Sequence, residues 1–335
     1  MKNLGLRILK VLITFLVIVN MNNSFGQDFH LSQYDASPII LNPSLTGMYG
    51  VEEMRMTSQY RSQWGALTSS LTSSAMSFDM RLKDRWGIGA YIMDNNGAKV
   101  FNTFNLILSG AYEVTINGGS MWAKDYRLFV GLQAGMIYKG TNDDRLVFDE
   151  QYYAGNFDSD LPSGEVFDKN GLVMPDLNYG ISYMNVNREQ RVNPYLGFSL
   201  FHITSPKESF FNEKESRLPR RFLVHGGTKI NINESVFVDP KFLCMWQKNA
   251  SEYVFGIKGY YNLNNSDIWI SGGSLIRLKD AVIIMLGVDY NNVIFQISYD
   301  INTSGLKAYS KGRGGLEFAV IYNTGRKKEG EPLRY

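Results

Sequence analysis

The chain has 335 residues, 44% apolar and 20% charged, with 32 Gly, 13% aromatics, three His, one Cys and a formal net charge of +2. Gly is about a tenth of the chain against an average near 7%. With so many aromatics, that argues against a helical or a disordered protein. The near-neutral charge excludes a strongly basic nucleic-acid binder, and one Cys excludes an internal disulfide.

Residues 1–26 read as a cleaved signal peptide. Lys2, Arg7 and Lys10 form a positive start, Val11 to Val19 is apolar apart from Thr14, and Ser24 and Gly26 put small residues where a signal peptidase cuts. The apolar run is about half of the ~20 residues a transmembrane helix needs. No Cys lies beside the junction, so no lipid anchor is expected, and removal leaves 31 basic against 32 acidic residues. No later run of about 18 apolar residues exists, so a membrane-embedded mature chain must be a closed barrel. Residues 27–50 form an N-terminal segment with few alternating positions. It is expected to tuck into a barrel mouth or to dock a periplasmic partner.

From residue 53 onward the sequence alternates. Tyr126, Leu128, Val130, Leu132, Ala134, Met136 and Tyr138 share one face, opposite Arg127, Gly131, Gln133, Gly135 and Lys139. The same pattern recurs at Trp86–Ile92, Phe104–Tyr112, Tyr253–Tyr261, Val293–Tyr299 and Leu316–Tyr322. The inward positions read as polar, charged or Gly. A soluble sandwich and an outer-membrane barrel both produce this alternation, and connection lengths separate them. Strands are expected near residues 57, 76, 90, 109, 132, 181, 198, 225, 241, 257, 271, 285, 296 and 319, those near 225 and 241 being the weakest. With the N-terminus in the periplasm, the odd connections include the stretches 62–70, 95–103, 140–174, 203–218 and 302–314. The even ones are mostly short: Lys83-Asp84, Asn187 to Arg191, Asn231 to Asn233 and Asn291-Asn292, with Ile116 to Asp125 the exception. Long outer loops and short periplasmic turns mark an outer-membrane barrel. The expected fold is therefore all-β: a transmembrane antiparallel β-barrel of about 14 strands over 51–324, with a tail at 325–335. Mean hydropathy, −0.19, looks soluble only because alternate residues meet lipid.

Several motifs carry a resemblance. They are Gln27-Asp28-Phe29-His30-Leu31-Ser32-Gln33-Tyr34, Pro38, Leu41-Asn42-Pro43-Ser44-Leu45-Thr46-Gly47, Tyr60-Arg61-Ser62-Gln63-Trp64, Ser77-Phe78-Asp79, Tyr195 to His202 with Pro206, Trp269 to Arg277, Tyr299-Asp300 and Gly314-Gly315-Leu316-Glu317. In this order they resemble the PorP/SprF family of outer-membrane proteins of the type IX secretion and gliding machinery. Two departures stand out: Ser44 after Asn-Pro, and Leu316 where the family usually carries His, which undercuts any role for an imidazole there. The resemblance implies an outer-membrane component surrounded by lipid, working with a periplasmic ring lipoprotein and its partner, and with secreted cargo or adhesins. It implies no cofactor. The alternative is a channel for hydrophobic or small solutes of the fatty-acid-transporter type. Gene neighbourhood would tell a general secretion component from an adhesin-dedicated paralogue.

The candidate partner-binding residues are Gln33, Tyr34, Asn42, Pro43, Arg61, Gln63 and Trp64, since Trp and Arg are common interface anchors. Each has a plainer structural reading: Asn42-Pro43 as a turn former, and Arg61, Gln63 and Trp64 as a lumenal charge plus an interface belt. Asp79, Glu113, Arg127, Lys258, Arg277, Asp289 and Asp300 are expected to face inward as a charge network. The stretch Thr141 to Met174 is acidic and aromatic: a solvated loop or a surface interaction site, without an EF-hand pattern. His30, His202 and His225 show no metal-ligating spacing. A barrel hydrolase would need a nucleophile near His, and His202 with Ser205 is the one such proximity; no enzyme activity is expected. Cys244 reads as a small residue on a lipid- or lumen-facing strand.

Overall fold

The computed structural model describes residues 28–48, 52–63, 70–82, 85–97, 100–114, 126–142, 149–153, 156–158, 161, 170–185, 190–210, 216–263, 266–305 and 307–325. Residues 1–26, expected to be a signal peptide, and Trp64 lie outside them, as do most of the acidic residues between Thr141 and Met174.

The first strands are β1 (Glu52–Gln63), β2 (Leu71–Arg81), β3 (Trp86–Gly97), β4 (Phe101–Val114) and β5 (Tyr126–Thr141). A small hairpin, β6 (Tyr152–Tyr153) with β7 (Asn156–Phe157), rides on the following connection. Then come β8 (Gly171–Asn185), β9 (Val192–Phe201), β10 (Arg221–Asn231), β11 (Val236–Gln247) and β12 (Ala250–Asn262). The chain ends on β13 (Ile268–Arg277), β14 (Ala281–Tyr290), β15 (Val293–Asn302) and β16 (Arg313–Gly325). All but β6 and β7 join one closed antiparallel barrel of 14 strands, sealed by β1 against β16. Every expected strand is present.

One end of the barrel carries connections 64–70, 98–100, 142–170, 202–220, 248–249, 278–280 and 303–312. The other carries 82–85, 115–125, 186–191, 232–235, 263–267 and 291–292. Two long connections, 142–170 and 202–220, therefore carry the asymmetry, and they mark the extracellular end. The stretch 95–103 is not a long loop. Asn95 and Asn96 have turn chemistry, but they pair with Thr103 and Asn102, leaving only 98–100 between β3 and β4. The weak strand near 241 contains Pro240. Around it the β10–β11 ladder skips Thr228 and Lys229, since proline has no N–H to donate.

Alternation sorts the two faces. Leu108, Leu132, Val173, Leu286 and Phe295 are among the exposed apolar residues of the outer band, while Arg55, Gln59, Gln133, Asn178, Lys258 and Glu317 are buried inside. No helix among the described residues is long and apolar enough to cross a membrane, and the crossing is made by strands. The inner face differs from expectation in one respect. Phe201, Leu223, Leu243, Met245, Val254, Leu275, Ile283 and Met285 form an apolar belt inside the barrel, packed against Leu41 and Leu45. Inward positions are apolar where they meet Leu41 and Leu45, and polar where they bond the polar groups of the N-terminal segment or one another.

Candidate functional site

Residues 28–48 fill the lumen. The segment starts at the extracellular end, where Asp28 meets His202 and Gln247. It finishes near the periplasmic end, where Met48 packs with Ala111 and Phe129 and the Gly47 N–H donates to Asp79 Oδ2 at 2.7 Å. Two short helical turns, Pro38–Leu41 and Pro43–Leu45, shape its inner part. Each begins on proline, whose fixed φ suits a first helical position and whose missing N–H costs nothing there. Asn42 between them is held extended (φ −153°, ψ 123°), as a residue before proline prefers.

Asn42 uses both ends of its side chain. Its Oδ1 accepts from the Ser44 N–H at 3.0 Å and lies 2.8 Å from Ser44 Oγ, while its Nδ2 donates to the carbonyls of Ile181 and Phe198, both at 3.2 Å. Nδ2 also sits 3.1 Å from His225 Nε2, and Ser44 Oγ is 2.8 Å from Ser182 Oγ. The turn-forming role of Asn42-Pro43 is thus joined to a role in fastening the segment to the wall. Around it the wall supplies an acceptor or donor at nearly every step. Gln133 donates to Ile39 O, Ser199 to Leu41 O, Thr57 to Ala36 O and Gln59 to Gln33 O, and Ser37 meets Ser77.

Glycines make the room. A Cβ on Gly87 would lie 1.9 Å from Thr46 O, on Gly131 2.3 Å from the Pro43 carbonyl, and on Gly180 2.0 Å from Asn42 Oδ1. These are inward positions, so the lumenal glycines are notches cut to the segment's backbone.

The outer part of the segment is held by charge. Glu317 accepts the N–H groups of Ser32 (2.7 Å) and Gln33 (3.0 Å). Asp300 accepts Ser32 Oγ and pairs with Arg61 Nη2, both at 2.7 Å, and with Arg277 Nη1 at 3.2 Å. Arg61 also donates to the His30 carbonyl, and the His30 ring meets Glu252 at 3.0 Å. Lys241 pairs with Asp35 at 2.6 Å and Asp239 at 3.2 Å. Arg61, only 1% exposed, ties the wall carboxylates Asp300 and Glu317 to the segment's backbone at His30.

At the extracellular mouth His202 sits between two carboxylates, Nδ1 3.0 Å from Asp176 and Nε2 2.7 Å from Asp28. Burial alone would lower the His202 pKa, but hydrogen bonds to Asp176 and Asp28 raise it above its ordinary value. Burial likewise pushes Asp28 up, and the His202 hydrogen bond, with the charges of His202 and Arg221, brings it well below the usual carboxylate range.

Of the seven residues singled out as partner-binding, Gln33, Asn42, Pro43 and Arg61 are buried, and Tyr34 and Gln63 half-buried. Gln33, Asn42 and Arg61 bind segment to wall by hydrogen bonds or ion pairs, and Tyr34 packs on the inner apolar belt. Of the expected lumenal charges, Asp79, Glu113, Lys258, Arg277, Asp289 and Asp300 are buried. Arg127, 43% exposed, pairs with Glu113, which Arg81 also reaches at 2.8 Å. Arg55 takes Asp79 bidentately, at 2.8 and 3.0 Å. Ser205 Oγ donates to Leu218 O, so its proton is engaged away from His202. Leu316 faces outward, and Cys244, half-buried, alternates with inward Leu243 and Met245 and so faces lipid. Among the described residues no group of three His, Cys, Asp or Glu is placed to hold a metal ion. Sequence reasoning missed Asp28, Asp35, Asp176, Lys241 and Glu252, and it left Glu317 without a role. Nothing in a linear reading joins Ser32 to Glu317 across 285 positions.

A closed 14-stranded barrel with an apolar outer band and a lumen occupied by its own N-terminal segment is an outer-membrane β-barrel protein. Residues 23–322 match the family described as type IX secretion system membrane protein PorP/SprF, and the chain belongs to that family. No curated protein matches it. Among solved structures it is similar to the CymD monoaromatic hydrocarbon channel, at 9% identity and TM-score 0.51, covering 91% of this chain and 96% of that one. It is also similar to the Pseudomonas putida toluene transporter TodX, at 11% identity and TM-score 0.51, covering 89% and 99%. At such identities the likeness is one of fold.

Proposed function

We propose that this protein is a plugged scaffold of the type IX system. It associates with the periplasmic secretion ring, a lipoprotein and its partner, and holds secreted proteins or adhesins at the cell surface. Family membership supports work with other secretion components. The observation favouring a scaffold over a conduit is the lumen itself, threaded by residues 28–48 with hydrogen bonds to β1, β2, β5, β8, β9 and β16. On this reading Gln33, Tyr34, Asn42, Pro43 and Arg61 serve partners indirectly, by fixing the segment that gives both mouths their shape. Gln63, at the outer end of β1, and Trp64, the next residue in sequence, are the candidates for direct contact. Full-length tagged protein purified from outer membranes should bring down ring proteins and type IX cargo. Recovery of neither sinks the proposal.

A second reading is a channel for apolar solutes. It is favoured by the apolar belt around Leu243, Leu275 and Ile283 and by the shared fold with CymD and TodX. It requires residues 28–48 to move aside. Flux of a hydrophobic solute into liposomes carrying the full chain would establish it, whereas flux seen only after the segment is deleted would leave the scaffold reading standing.

A further inference from the structure

The extracellular rim of β10–β16 carries a run of exposed cations: Arg220, Lys248, Lys279, Lys311 and Arg313. Arg220 precedes β10, Lys248 and Lys279 sit in the turns β11–β12 and β13–β14, and Lys311 and Arg313 flank the start of β16. They recur about every two strands, so on the order of 10 Å apart. Among the described residues, the carboxylates on these connections are Glu208 and Asp280, and both are engaged, with Lys139 at 2.5 Å and Arg277 at 3.0 Å. Among the described residues, the periplasmic connections from β8 to β15 carry Arg191, Glu234 and Asp267, and otherwise mostly asparagine and serine.

Backbone conformation sharpens the contrast. Lys248, Lys279 and Lys311 hold φ of +52°, +63° and +52°, in the left-handed region. That region suits Gly and Asn and strains a residue with a long side chain. The periplasmic turn at 291–292 uses Asn291 at φ +54°, the residue such a turn prefers. The outer turns carry lysine where turn geometry alone favours asparagine, so positive charge is kept there against local preference.

Turn length fixes the height of that charge. Residues 248–249 and 278–280 are too short to rise away from the strands. Just below them lie the outward Trp246 and Tyr253, joined by a 3.1 Å hydrogen bond, and the exposed Ile276 and Leu278. An aromatic and aliphatic belt of this kind marks the top of the hydrocarbon layer, so the cations stand at headgroup level. We propose that this rim binds the phosphate groups of glycolipid in the outer leaflet, Lys and Arg serving as phosphate partners.

The test uses the full-length protein in detergent, titrated with diphosphorylated lipid A, with its dephosphorylated counterpart and with inorganic phosphate, binding being read by native mass spectrometry. The wild type should retain the diphosphorylated glycolipid about tenfold better than the dephosphorylated one, without displacement by inorganic phosphate. The variant Arg220→Gln, Lys248→Asn, Lys279→Asn, Lys311→Asn, Arg313→Gln should lose that preference. Asparagine suits the three left-handed positions, so this variant is expected to fold, as heat-modifiable gel mobility will verify. Arg191→Gln, at the opposite end, should bind like the wild type. Displacement by inorganic phosphate, no preference in the wild type, or a preference surviving in the folded variant would each overturn the proposal.

Discussion

The two parts of the lumenal segment are held by different physics. Residues 28–35 lie among buried and half-buried charges, with Arg61, Arg277, Asp300, Glu317, His202 and Lys241 reaching for backbone or side chain. Residues 36–48 carry no charge and are fitted mainly by shape: two proline-started turns pressed into glycine notches and fastened by hydroxyls and amides, with one carboxylate, Asp79, on the Gly47 N–H. A charge-held segment tolerates a change of volume better than loss of a partner, because an orphaned buried ion keeps its desolvation cost. A shape-held one tolerates loss of a hydrogen bond better than one added methyl, because nothing around it can move. That difference ranks the perturbations.

The largest effect belongs to Arg61→Leu. It takes from Glu317 its guanidinium partner and leaves Asp300 with Arg277 alone, both carboxylates about 2% exposed or less, and breaking a buried pair from one side costs about 3–5 kcal/mol. The Ser32 and Gln33 amides report it directly, since both donate to Glu317. Their hydrogen-exchange protection should collapse while that of residues 42–46 changes little. Equal loss in both parts would erase the distinction between them.

Next comes Gly131→Ala, which forces a Cβ to 2.3 Å from the Pro43 carbonyl. An overpacked site of this kind costs about 1–3 kcal/mol, and exchange should now rise at residues 42–46 and not at 32–33. Gly110→Ala is the control. Gly110 alternates with inward Ser109 and Ala111, and its nearest neighbour would be 3.9 Å away, so no shift beyond about 0.5 kcal/mol is expected. Asn42→Ala follows. Loss of its bonds to Ser44 resembles loss of a helix cap, about 0.5–2 kcal/mol, measured by the same exchange at Ser44.

The barrel was legible in the sequence because a strand's two-residue period records lipid on one side and lumen on the other at every step. Fourteen strands and the inward charges could be placed from that alone. The plug was only partly legible. Its prolines and Asn42 announce turns, but its partners lie up to 285 positions away, and a buried glycine notch looks like any glycine. One signal was available. Phe242 to Trp246 and Ala281 to Leu286 are unbroken apolar runs, and a strand apolar on both faces is buried on both. Here one face meets lipid and the other meets Leu41 and Leu45, so those runs mark where the lumen is occupied.

The smallest effect is also the one that pH controls. His202 gains its raised pKa from Asp176 and Asp28, so its contribution is complete below the unfolded value near 6.5 and is lost as pH rises through the folded value. Asp28 is held low, so its contribution is present above about 4 and is lost as pH falls through the folded value. Both operate together between about 4 and 6.5, where the charged ring donates from both nitrogens at once. Once pH has risen through the folded value, the neutral ring has one N–H for two carboxylates, and Asp28 loses about 1 kcal/mol of attachment. Protection of the Phe29 and His30 amides, corrected for intrinsic exchange, should therefore decline between pH 6 and pH 9 while that of Ser44 stays level. In His202→Gln the decline should vanish, because an amide keeps the same donors throughout. If the variant retained the wild-type pH profile, another group would be fastening the outer end of the segment. Glu252 with His30, 3.0 Å apart, would be the next to examine.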